Sequence, residues 1–153
     1  MMQQPIILVV DDEIRSQEAL TRVLADDFQV LCASSTAEAE ALLEGEMVHA
    51  ILCDQRMPGC TGVEFLKTVR ERWPDPVRMI ISGFTDSDDI IAGVNEAGIY
   101  QYITKPWAPE QLLGTIKEAV QLYRLQLESQ AASLEMRVSN TALQQQVGDR
   151  RKV

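Results

Sequence analysis

Five short apolar runs rich in β-branched residues recur along the chain: "IILVV" (6–10), "FQVLCA" (28–33), "VHAILC" (48–53), "VRMIIS" (77–82) and "IYQYIT" (99–104). Runs of this length and composition read as strands. The intervals between them carry helical period. Residues 13–26 place Ala19, Leu20, Val23 and Leu24 on one face, and 36–45 do so with Ala39, Leu42 and Leu43. The same spacing returns in 61–72 with Val63, Leu66 and Val69, and in 86–97 with Ile90, Ile91, Val94 and Ala97. Strict alternation of strand and helix, with strands apolar on both faces, requires a parallel sheet covered by helices on both sides. The fold class is α/β, a doubly wound five-stranded parallel sheet.

Local punctuation supports these boundaries. Ser34, Ser35 and Thr36 stand where the second helix needs a cap, as Asp86 does for the fourth, while Gly45 and Gly98 stand where helices should stop. Trp73-Pro74-Asp75-Pro76 breaks the third helix and turns the chain into the fourth strand. Pro109 suits the first turn of a fifth.

That fifth helix has no early stop. Apart from Gly114, no glycine or proline interrupts the chain between Pro109 and Gly148, and Gln, Glu, Arg, Leu and Ala dominate its later part. Leu113, Ile116, Val120, Tyr123 and Leu127 step by three and four, and after a slip the series continues through Ala131, Leu134 and Val138. The spacing predicts a coiled-coil seam and a homodimer through the C-terminal helix, with a long solvated helix or disordered linker as the alternative. Residues 5–122 form the globular domain on this reading, and 123–153 a helical coiled-coil linker. The terminal "GDRRKV" has no globular character and reads as linker toward an output domain.

A chain of 153 residues supplies one core and little more. Its formal charge of -9 opposes direct contact with nucleic acid or an anionic membrane and fits a metal pocket or a basic protein partner. The three cysteines, Cys32, Cys53 and Cys60, lack zinc-knuckle or redox spacing. With no signal peptide and no apolar run long enough to span a bilayer, the expected location is cytoplasmic.

In an open parallel sheet, functional groups collect beyond the carboxyl ends of the strands, where strand order reverses. The first run is followed by Asp11-Asp12-Glu13 and the third by Asp54; the fourth ends in Ser82-Gly83 and the fifth in Thr104-Lys105-Pro106. If the sheet order is 2-1-3-4-5, the first and third strands are neighbours and Asp11 and Asp12 come beside Asp54. Three carboxylates so placed repel one another unless a cation neutralises them. Oxygen ligands without histidine or cysteine suit Mg²⁺. Lys105 and Ser82 then fit as a fixed charge and a hydroxyl for phosphate oxygens, and Asp54 as the carboxylate that accepts a phosphoryl group.

"VVDDE" at 9–13, "DQRMPGCTGVEFL" at 54–66, "IISG" at 80–83 and "YITKP" at 102–106 together resemble the receiver domain of two-component response regulators, with four motifs at four successive strand ends. The resemblance covers about residues 5 to 122 and supplies the flavodoxin-like strand order 2-1-3-4-5. It implies that a sensor histidine kinase phosphorylates Asp54 and that Mg²⁺ is held by Asp12, Asp54 and the backbone carbonyl of Arg56, with Asp11 on a metal-bound water. It also implies that Ser82 and Tyr102 switch, that Lys105 pairs with the phosphoryl group behind a cis Lys105-Pro106 bond, and that Arg56 and Phe84 tune phosphate lifetime. No enzyme activity is implied beyond Mg-dependent self-phosphorylation and slow autodephosphorylation.

Ser82 replaces a more usual threonine and Gly83 a more usual alanine. The wording "ISGFTD" and "YITKPW" is most similar to receivers of nitrogen-regulatory-class transcription activators, particularly hydrogenase-expression regulators. Receivers of HD-GYP cyclic-di-GMP phosphodiesterases use similar wording and are the alternative output. A docking module independent of phosphorylation would normally lack the acceptor or the lysine, and "DDEIR" lacks the second acid of a haloacid-dehalogenase-type phosphohydrolase. His49, Cys53, Cys60 and Trp107 read as packing or solvated residues.

Overall fold

The computed structural model describes residues 4–83 and 97–151, with side chains in the C-terminal helix described as far as residue 130. Its elements are β1 (Ile6–Val10), α1 (Ile14–Leu24), β2 (Gln29–Ala33), α2 (Thr36–Gly45), β3 (Ala50–Asp54), β4 (Arg56–Met57), β5 (Cys60–Thr61), α3 (Gly62–Arg72), β6 (Val77–Ser82), β7 (Ile99–Thr104) and α4 (Pro109–Arg151). The main sheet is five-stranded and parallel in the order β2-β1-β3-β6-β7. This is the flavodoxin-like order 2-1-3-4-5 with the strands of the main sheet counted in sequence.

Each side chain on a strand faces opposite to its neighbour, so one strand feeds two cores. Leu8, Val10, Ile51, Cys53 and Ile80 join Ala39 and Leu43 of α2 and Val63, Leu66 and Val69 of α3 in one buried cluster. The alternate residues Ile7, Val9, Leu52, Met79 and Ile81 are equally buried and belong to the opposite face. There α1 supplies Leu20 and Leu24, and α4 supplies Leu112, Ile116 and Val120. Burying two faces of one sheet is what the apolar runs require of a chain this short.

The central strands are apolar on both faces, but the edges are not. In β7, Tyr100, Gln101, Tyr102 and Thr104 are exposed, and β2 is buried fully only at Ala33. An edge strand has one neighbour and partial helix cover, which a composition rich in β-branched and aromatic residues does not reveal.

Some boundaries move by one or two residues. The third strand is Ala50–Asp54, so Asp54 is its last residue and not the one after it. The helix expected over 13–26 shortens to Ile14–Leu24. Gly45 is the last residue of α2 without a left-handed backbone, whereas Gly98 has a φ of 62°. Of the cap candidates, Ser35 accepts a hydrogen bond from the Glu38 amide at 3.2 Å, and Asp86 lies outside the described residues, as does the helix expected over 86–97 apart from Ala97. The antiparallel hairpin of β4 and β5 has no counterpart in the sequence reading.

At the amino ends of the strands, His49 Nδ1 accepts from the Ile6 amide at 3.1 Å, and its ring centroid lies 4.5 Å from that of Tyr123. The chain divides into two compact units, residues 1–123 and 124–153, joined along the continuous helix α4 of 43 residues. No helix among the described residues is long and apolar enough to cross a membrane.

Candidate phosphoacceptor site

Strand order decides what meets. Because β1 lies beside β3, with Val10 opposite Cys53, the acids that follow β1 reach the acid that ends β3. One ligand oxygen from each of Asp11, Asp12 and Asp54 falls within 4.8 Å of the others. Asp11 and Asp54 are buried and Asp12 is exposed, so the cluster opens to solvent on one side.

Asp11 is fixed by its surroundings. Its Oδ1 accepts from the Glu13 amide at 2.9 Å, and its backbone carbonyl accepts from Gln17 Nε2 at 2.6 Å. Burial above all pushes its carboxyl above the usual carboxylate range, with the charges of Asp54 and Asp12 acting the same way. The Glu13 amide and Lys105 oppose that rise without cancelling it.

Lys105 Nζ lies 3.4 Å from Asp54 Oδ1, and the Arg56 amide donates to the same oxygen at 3.4 Å. The lysine arrives there because β7 pairs with β6: the Lys105 amide donates to the Ser82 carbonyl at 2.8 Å, one step beyond the Ser82 and Thr104 pairing. The Lys105-Pro106 peptide is cis. Ser82 is buried at the end of β6, adjacent to Ile81, which pairs with Asp54.

The structure thus brings Asp11, Asp12, Asp54, Ser82, Lys105 and the backbone of Arg56 to one sheet edge. Tyr102, by contrast, is 44% exposed on β7, and the Arg56 side chain is exposed. Phe84 lies outside the described residues. Cys53 is fully buried with its thiol pushed well above its ordinary pKa, first by burial and then by the charge of Asp54, so it stays protonated. Cys60 is partly buried in β5, and Trp107 is half-buried.

Two residues of the "DQRMPGCTG" stretch carry more than their types announce. Gln55 is 2% exposed, with its side chain bonded to the Val63 amide at 3.0 Å. Gly62 passes so close to β3 that a Cβ on it would stand 2.5 Å from the Asp54 carbonyl oxygen and 2.8 Å from Ile80 Cδ1. A glycine opening a helix just after a Thr cap was the available signal, since Thr61 Oγ1 accepts from the Glu64 amide at 3.2 Å.

A parallel sheet in this order, with its acids gathered at the switch point and a lysine facing the central one, defines a receiver of the flavodoxin-like class. The family model described as response regulator receiver domain matches residues 7–117, and the chain belongs to that family. It is 65% identical over 150 residues to the hydrogenase transcriptional regulatory protein HoxA of Bradyrhizobium diazoefficiens, covering 98% of this chain and 31% of that protein. It is 60% identical over 143 residues to HoxA of Cupriavidus necator, covering 94% and 30%. The chain therefore spans about three tenths of the length of these curated relatives. Among solved structures it is similar to the signal receiver domain of an HD domain-containing protein from Pseudomonas fluorescens, with 25% identity and a TM-score of 0.79 over 84% of this chain and 95% of that one.

Proposed function

We propose that this receiver is a phosphorylation switch: Asp54 takes a phosphoryl group from a sensor histidine kinase in a Mg²⁺-dependent reaction, and the change controls an attached transcription output. The observation that carries the reading is the meeting of Asp11, Asp12 and Asp54 within 4.8 Å, with Lys105 3.4 Å from the acceptor. Oxygen donors alone, one of them a carboxylate whose pKa is raised by burial above all and then by the charges of Asp54 and Asp12, fit a hard divalent cation. Asp11, Asp12, Asp54 and the Arg56 carbonyl would hold Mg²⁺, which supplies charge neutralisation for the incoming phosphoryl oxygens.

The chain's own residues do the rest. Asp54, on the last position of a rigid strand, presents its carboxylate as nucleophile. Its oxygen forms a bond to phosphorus as the bond to the donor's leaving group breaks, and the leaving group carries away the electron pair. Lys105 offsets the negative charge that accumulates on the phosphoryl oxygens. Ser82 offers a hydroxyl to the same group, and Tyr102 responds to its movement. Arg56 and Phe84 tune how long the acyl phosphate survives. Beyond this transfer and slow autodephosphorylation the domain has no enzymatic role.

Identities of 65% and 60% with hydrogenase transcriptional regulators, against 25% with the receiver of an HD domain-containing protein, favour transcription control over a cyclic-di-GMP phosphodiesterase output. Residues 5–122 act as the receiver and 123–153 as a coiled-coil linker that dimerises it. We place the protein in the cytoplasm, where the kinase's phosphodonor domain is accessible. Labelling with acetyl phosphate and Mg²⁺ tests the assignment: incorporation in the native chain and its loss in Asp54→Asn support it, and persistent labelling of that variant refutes it.

A further inference from the structure

The residue after the acceptor joins three elements. The Gln55 amide donates to the Ile81 carbonyl at 3.0 Å, and its own carbonyl accepts from the Gly62 amide at 2.9 Å. Its side-chain Oε1 accepts from the Val63 amide at 3.0 Å, in a buried bond. Gly62 and Val63 open α3, and the first amides of a helix have no partner within it. Two of them therefore end on Gln55, while Thr61 takes the third through its hydroxyl.

Any residue at 55 could make the two backbone bonds. Only the glutamine's length and carbonyl oxygen carry the third, which fixes the start of α3 to the end of β3 while Gly62 allows the close approach to Asp54. An apolar side chain there would leave the buried Val63 amide without an acceptor, and α3 would shift to find one. Such a shift moves Asp54 relative to Lys105, which belongs to the other side of β6. A misplacement near 1 Å costs on the order of 10²-fold in reactions that depend on alignment.

We propose that Gln55 is a positioning residue for phosphoryl transfer, its side chain clamping the first turn of α3 to β3 and so setting the Asp54 carboxylate against Lys105 and the Arg56 amide. This rests on Asp54 being the acceptor. Asp54 and the Arg56 carbonyl flank Gln55 and would also hold Mg²⁺, so labelling rates are compared with the metal saturating, where a change in alignment is read apart from a change in metal affinity.

The test uses residues 1–153, with the rate of labelling by acetyl phosphate at saturating Mg²⁺ measured well below the unfolding midpoint, and Mg²⁺ affinity measured by calorimetry. Gln55→Met removes the acceptor and keeps the bulk. Val63→Pro removes the donor in the first turn of α3, where the amide has no partner within the helix to lose. Each is expected to lower the labelling rate at saturating Mg²⁺ about tenfold, and the double variant to fall no further than either single one. A merely structural bond would lower the unfolding midpoint and leave the rate unchanged. A rate within twofold of the native chain in either variant, or losses that multiply in the double variant, overturns the proposal. If Gln55→Met does not fold, Val63→Pro decides alone by the same twofold criterion. Labelling that persists in Asp54→Asn, where Gln55 is intact, would instead overturn the acceptor assignment beneath it.

Discussion

Lys105 Nζ stands 3.4 Å from Asp54 Oδ1 across the end of β6, although 51 residues separate them in sequence. The lysine is half-exposed and the carboxylate buried, so the pair sits at the boundary where a charge is weakly screened on one side and open to a ligand on the other. Lys105→Met is expected to slow acetyl phosphate labelling of Asp54 by about tenfold or more, because the incoming phosphoryl charge loses its counter-ion. The unfolding midpoint should move little, since a half-exposed ion pair contributes little stability. Equal labelling rates in native and variant chains would remove the lysine from the transfer step.

Gly62→Ala tests the close approach of α3 to β3. A Cβ at 2.5 Å from the Asp54 carbonyl oxygen meets backbone, which cannot rotate away as a flexible side-chain end can. The variant should lose about 1–3 kcal/mol in urea denaturation and label more slowly than the native chain. Unchanged stability would mean that the two elements separate without cost.

Asp11 provides a pH test. Its carboxyl is raised above its ordinary value, so the folded chain binds that proton more tightly than the unfolded chain. The group's contribution to stability therefore falls as pH climbs through the window between the ordinary value and the raised folded one, and stays low above it. In metal-free buffer, Asp11→Asn should raise the unfolding midpoint near about pH 7.5, with the gain shrinking toward about pH 4, because the asparagine oxygen can still accept from Glu13. The same substitution should remove most of the stabilisation that Mg²⁺ gives the native chain. A lower midpoint for the variant at neutral pH without metal would contradict the repulsion argument.

The long helix makes an assembly prediction. Residues 1–123 form a compact unit, and beyond them α4 continues with Leu125 54% exposed. Residues 1–153 are expected to sediment as a dimer and residues 1–123 as a folded monomer: Ile116, Val120 and Tyr123 of the predicted seam are buried within the receiver, which leaves the positions from Leu127 onward to pair two copies. A dimer that survives the truncation would place the interface on the receiver itself.

Much of the site could be read from the strand ends. β1, β6 and β7 begin and end where the apolar runs do, and each delivers its site residue at the carboxyl edge. Gln55 and Gly62 were harder to read. A glutamine between "ILCD" and "RMPG" has the composition of a loop, and its burial depends on the amide of Val63 eight residues on.

The sequence by itself determined the five strands of the main sheet, the described helices that alternate with them, and which acids, hydroxyl and lysine follow those strands, because side-chain periodicity and turn residues act over a few positions. Tertiary structure alone decided that β1 lies beside β3, that β7 is an exposed edge, and that α3 presses a glycine onto the Asp54 carbonyl. Those outcomes depend on which elements become neighbours across the sheet, and that choice is made by packing whole faces together, a quantity no local pattern contains.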